Sequence, residues 1–139
     1  SNTVDYADLN VGDQIPDMIK ENISRTQLAL FAGASGDHNP IHLDDEEAKS
    51  SGLPGVIVHG MLTMAFLGQV LTGWVPVSRV RSWNARFVAM AFPGDTITSK
   101  GVIVEKVSED GEDRVKLDIS AENQKGEKIL VGSAVVAIS

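Results

Sequence analysis

Cysteine is absent from all 139 residues, so neither a disulfide framework nor a thiolate metal site is available, and nothing calls for an oxidising compartment. Positive charge is scarce: 12 Lys and Arg stand against 19 Asp and Glu, and the net charge of -7 weighs against nucleic acid as a partner. Apolar residues make up 42% of the chain, too many for a disordered segment, yet they are interrupted too evenly for a membrane span. No Arg- or Lys-led apolar leader is present, which makes the cytoplasm the expected location. Ser1 and Asn2, without an initiator Met, read as remnants of cloning. Neither G-x-x-x-x-G-K-[ST] nor G-x-G-x-x-G occurs, so the two common phosphate cradles are excluded.

What is present fits one domain over residues 1–139, with no repeat, linker or low-complexity tract. Its charge is uneven: residues 1–78 hold 3 basic and 10 acidic side chains, whereas 79–139 hold 9 of each, so any anion-binding surface should draw on the second half. Val11-Gly12-Asp13-Gln14-Ile15-Pro16 reads as a turn into an extended segment. Ser24 through Gln27 form a capping box for a helix over 25–34, which Gly36 can close and Pro40 cannot continue. Asp44 can cap a second short helix over 44–50, whose first turn carries Asp45, Glu46 and Glu47 where the helix dipole favours them. From Gly60 to about Trp74 the chain is apolar nearly all round, the pattern of a helix buried on most sides.

The period then changes from helical to two. Val115, Leu117, Ile119 and Ala121 alternate with Lys116, Asp118, Ser120 and Glu122, a half-buried strand. Flanking strands fit 79–91, 96–108 and 128–138, separated by Pro93-Gly94-Asp95, by Ser108-Glu109-Asp110-Gly111 and by Gln124-Lys125-Gly126. These spacings predict an α+β fold, an antiparallel sheet wrapped around a central buried helix. Such a sheet leaves edges open, so a homodimer or higher homo-oligomer is expected.

Polar chemistry is densest in Ser35-Gly36-Asp37-His38-Asn39-Pro40-Ile41-His42. Most of these residues favour a tight turn, and a turn alone would account for them. It does not account for His42, flanked by Ile41 and Leu43 near a carboxylate, the setting of a general acid/base pair. His38 and His42 have the spacing of a helical zinc pair, but Pro40 breaks the helix that would align them. Calcium fares no better, because Ile41 takes the third alternate position after Asp37 and Asn39. Neither a metal nor an organic cofactor is therefore expected.

A second feature is Val58-His59-Gly60-Met61, at the start of the apolar helix. A helix N-terminus offers unpaired N–H groups, and Gly60 lets a ligand oxygen approach its amide, although Gly there also simply eases packing. A carboxylate, a histidine and an oxyanion-binding amide are the parts needed to add or remove water beside a carbonyl. Arg79, Arg81 and Arg86, with Trp83 among them, could hold phosphates, though alternating arginines on a strand more often form a solvated face. Met64, Phe66, Trp74 and Trp83 could narrow an acyl tunnel, yet such residues are more often plain core.

Together Ala34-Ser35-Gly36-Asp37-His38-Asn39-Pro40-Ile41-His42, Val58-His59-Gly60-Met61-Leu62 and Arg86-Phe87 followed by Pro93-Gly94-Asp95 resemble, in order and spacing, the MaoC-like dehydratases, or R-specific enoyl-CoA hydratases. The similarity covers about residues 9–138. It implies a hot-dog fold, a homodimer or related heterodimer, and syn hydration of trans-2-enoyl thioesters of CoA or acyl carrier protein to R-3-hydroxyacyl thioesters, or the reverse. In that family the residues at Asp37 and His42 hold the reacting water and the amide at Gly60 binds the thioester oxygen, while Asn39 supports the dyad. His59, Met61, Arg81 and Arg86 join Asn39 as candidate substrate-binding residues. One departure is Met90, where the family often has Pro. Two other readings remain: a hot-dog thioesterase, which would not require the Asp37-to-His42 pattern, and a non-catalytic partner subunit of a heterodimeric dehydratase.

Overall fold

The computed structural model describes residues 4–138, so Ser1 and Asn2 lie outside the described residues. Five strands, β1 (Gln14–Lys20), β2 (Val80–Phe87), β3 (Ile97–Glu109), β4 (Glu112–Glu122) and β5 (Lys128–Ala137), form one sheet in the order β1-β3-β4-β5-β2, antiparallel throughout. Three helices, α1 (Arg25–Ser35), α2 (Asp45–Ser50) and α3 (Gly60–Thr72), precede β2, and α3 packs against all five strands. The sheet around a central helix is the hot-dog arrangement.

Local chemistry explains the elements. The Ser24 hydroxyl accepts from the Gln27 amide at 3.1 Å and starts α1, and Gly36 ends it in the left-handed conformation, φ 77°. The Asp44 carboxylate caps α2 through the Glu46 amide. Leu62, Phe66, Leu67, Val70 and Leu71 of α3 are buried, each worth about 1.5–3 kcal/mol relative to exposure. Opposite them Val115, Leu117, Ile119 and Ala121 of β4 point inward, as the two-residue period requires.

One row across the sheet alternates bulky residues with small ones. Ile119 is flanked in register by Gly101 on β3 and Gly132 on β5, and Gly132 pairs with Ala85 on β2. A Cβ on Gly101 would lie 2.8 Å from the Ile15 side chain, so β1 folds its own apolar residue into the space that glycine leaves. Farther along β3 a bulge between Ile103 and Glu105 changes the phase, and Lys106 comes to lie opposite Val115. Its ammonium donates to the carbonyls of Tyr6 and Leu9 and sits 4.2 Å over the Tyr6 ring, closing that end of the core.

Two expectations need correction. The strand expected over 79–91 stops at Phe87, where both Val88 and Ala89 turn their amides onto the Ile129 carbonyl and the ladder ends. The helix expected to be buried on most sides leaves Met61, Ala65, Gln69 and Thr72 open, a stripe that one sheet does not reach. The Pro93-Gly94-Asp95 motif is structural here: the Asp95 carboxylate accepts from the Phe92 amide at 2.9 Å and the Gln124 side chain at 3.0 Å, while its carbonyl accepts from Ile23. It ties three loops together.

At the far end of β2, Arg81 and Arg114 both donate to Glu112, holding its carboxyl down at about 2, from 4.5. A carboxyl lowered by folding adds stability above its unfolded value and loses it as pH falls through its folded one. Acid titration of stability, followed by circular dichroism in urea, should therefore show a decline between about pH 4.5 and 2 that is shallower in Glu112→Gln. An unchanged slope would mean that solvent already screens this cluster.

Candidate active site

The chain leaving α1 makes a sequence of side-chain turns that aim Asp37 at His42. The Ser35 hydroxyl accepts from the Asp37 amide (3.2 Å), the Asp37 carboxylate from the Asn39 amide (3.3 Å), and the Asn39 side chain from the Ile41 amide (3.2 Å). Asn39 thereby caps a single 3-10 turn, Pro40–His42, whose last residue is the buried His42. The Gly-Asp-x-Asn-Pro turn is real, and its product is the placement of the histidine.

His42 Nδ1 lies 2.8 Å from the Ile57 carbonyl, which only accepts, so Nδ1 carries a proton and Nε2 is the atom turned toward Asp37. Nε2 stands 3.7 Å from Asp37 Oδ2. That is too far for a direct hydrogen bond and suits a bridging water. The Asp37 side chain is 49% exposed and that of His42 only 8%, so the carboxylate is the wet side of the pair.

His42 also lines a small cavity of about 190 Å³ with Gly60, Thr63, Phe87 and the 89–91 segment. Gly60 is the first residue of α3, where amides have no partner within the helix. His59, in the cap position, makes no side-chain cap, so nothing of its own shields those amides. A Cβ on Gly60 would meet the Phe87 ring at 3.1 Å; glycine keeps the helix end low beneath that ring. The arrangement places His42 and a positive helix end on one cavity, with the Asp37 carboxylate beside His42.

Other candidates fall elsewhere. Arg81 is bound to Glu112 and to the Ser78 carbonyl, near the opposite end of β2 from Phe87, and is not part of this site. Arg86 lines a groove of about 560 Å³ on the outer face of the sheet with Lys100 and Asp118, away from the dyad's cavity. Met61 is exposed at the start of α3, and His38 points outward. His59, expected to touch substrate, is fully buried and stacks beneath His42 with ring centroids 3.9 Å apart. That stacking is long-range and has no signature in residue spacing.

Asp37, His42 and His59 also bring ligand-type atoms within 4.8 Å of one another. The two imidazoles are stacked at an interplanar angle of 22°, which keeps their lone pairs in nearly parallel, separated planes. One ion cannot lie in both planes at the ~2 Å that zinc–imidazole bonds need, so the donor set does not fit a tetrahedral metal.

The fold is that of the hot-dog R-hydratases, and residues 9–125 match the MaoC-like domain; the chain belongs to that family. Among solved structures it is similar to the R-hydratase PhaJ1 of Pseudomonas aeruginosa, at 30% identity and a TM-score of 0.81, covering 95% of this chain and 84% of that one. Among curated proteins it is 33% identical over 88 residues to the peroxisomal enoyl-CoA hydratase 2 of Arabidopsis thaliana, and 37% identical over 112 residues to the fatty acid synthase subunit beta of Aspergillus oryzae. Those stretches are 61% and 78% of this chain, but only 28% and 5% of the relatives' own lengths.

Proposed function

We propose that the chain catalyses R-specific hydration of trans-2-enoyl thioesters, of CoA or acyl carrier protein, and the reverse dehydration. The observation that carries this reading is the convergence of Asp37 Oδ2 and His42 Nε2, 3.7 Å apart, so that one water can contact both, with His42 lining a cavity that Gly60 shares. A water held beside the two atoms donates one proton toward each group. As its oxygen adds to C3, the pair takes up one proton and returns one to C2, so atoms and charge balance without a cofactor. Both transfers come from one side of the double bond, which gives syn addition. Negative charge growing on the thioester oxygen is met by the amide at the start of α3.

The purified chain should consume enoyl-CoA substrates of short, medium and long acyl chain, followed by loss of the enoyl-thioester absorbance. Chiral analysis should give the R-3-hydroxyacyl product, and chelator treatment should leave the rate unchanged. A predominantly S product would overturn the mechanism, and free thiol without hydroxyacyl product would favour the thioesterase reading.

Phe87, Val88, Met90 and Met61 are exposed near the cavity mouth, and a second copy of the chain is the proposed cover for them. Light scattering should report about twice the 14.8 kDa chain mass. An active species that stays at the single-chain mass would contradict this.

A further inference from the structure

His59 touches both members of the pair without reaching the cavity. Its ring lies 3.9 Å below that of His42, and its Nε2 lies 3.2 Å from the backbone carbonyl of Asp37. A carbonyl accepts, so Nε2 carries the proton. Phe31 of α1 meets the ring edge-on at 4.8 Å, which fixes the third side. The remaining nitrogen, Nδ1, is buried with no hydrogen-bond partner. An orphaned buried acceptor is costly, and a purely structural position could be filled by a phenyl ring at no such cost.

We propose that His59 is a positioning residue that locks the dyad: its stack sets the plane of the His42 ring, and its Nε2–H holds the Asp37 backbone, so that one buried side chain sets how Asp37 Oδ2 and His42 Nε2 stand to one another. The inference deepens the hydratase reading and rests on it for its kinetic consequence, while its geometric claim is independent of substrate.

The protonation state is part of the device. The titratable groups facing His59 are Asp37, from the turn after α1, and His42; Phe31 and the first turn of α3 supply no charge. Burial pushes the His59 imidazole below its ordinary value; the hydrogen bond to the Asp37 carbonyl opposes this, and the neighbouring His42 adds to the lowering. A neutral ring in the stack leaves His42 free to accept a proton without a second cation 3.9 Å away.

Two complementary substitutions separate the contacts. His59→Phe keeps a ring for the stack and removes the donor to Asp37; His59→Gln keeps a donor and removes the ring. Each is expected to lower kcat about 10- to 100-fold with KM within about twofold, the scale of a misplaced acid/base group, and to shift the pH profile of kcat. Ring-nitrogen NMR of the parent should show His42 protonated at Nδ1 and His59 at Nε2, and each variant should change the His42 Nε2 shift. Folded variants with parental kcat, pH profile and His42 shift would overturn the proposal, as would a parent His59 protonated at Nδ1. If the parent hydrates no enoyl thioester, the NMR comparison still decides the positioning claim, and only the hydratase reading fails. Should one variant not fold, the other and the parental tautomers carry the test.

Discussion

Asp37→Asn and His42→Gln are each expected to lower enoyl-thioester turnover by at least ~10²-fold, the lower end of what a positioned acid or base contributes. The first replacement keeps an acceptor for the Asn39 amide, so the turn that carries it should persist while the oxygen that handles the water's proton is lost. The second can still donate to the Ile57 carbonyl but offers the water no imidazole nitrogen. In the proposed mechanism both groups act on one water, so the double variant should be little worse than either single one. Circular dichroism and particle mass should stay at parental values. His38→Gln is the control: the side chain is exposed, and the turn that buries His42 points it away, so most of the rate should remain. Near-parental turnover in Asp37→Asn, or an equal loss in the His38 variant, would remove the mechanism.

The second large effect concerns the backbone and not the chemistry. A Cβ placed on Gly132 would lie 1.9 Å from the Asn84 carbonyl oxygen and 3.0 Å from the Ala85 Cα, all on the neighbouring strand β2. No rotamer change relieves a clash between two main chains, so β2 and β5 would have to part at the pair Ala85 and Gly132. Gly132→Ala should therefore cost at least ~3 kcal/mol, or leave the chain insoluble, because parting the strands there also loosens Trp83 and Ala85 from the core. Gly33→Ala makes the contrast: it lies within α1 with open space around it, and the same added methyl should stabilise by about 0.5–1 kcal/mol. Urea melts of the two variants read both signs. A Gly132→Ala protein as stable as the parent would mean that the sheet does not approach itself as closely as described.

Much of this molecule is determined by sequence alone, wherever the cause is local. The Ser24 and Asp44 caps, the stop at Gly36, the alternation along β4 and the turn from Asp37 to His42 all depend on residues within a few positions of one another, and the structure contains each. Asp37 and His42 themselves were legible because a histidine set between Ile41 and Leu43 is unexplained by turn chemistry. What the tertiary structure decided depends on groups far apart in the chain. Arg81 left the candidate site because Glu112, on another strand, holds its guanidinium. The end of β2 at Phe87 is set by where the Ile129 carbonyl can be reached, and the open stripe on α3 by how far one curved sheet can wrap. His59 changed most: beside Gly60 in the chain it suggested a substrate contact, whereas folding stacks it under His42 and ties it to Asp37. Periodicity reports which face of an element is buried, but two rings brought together from separate segments leave no periodic trace, so only the packing of α3 against the turn after α1 could place them.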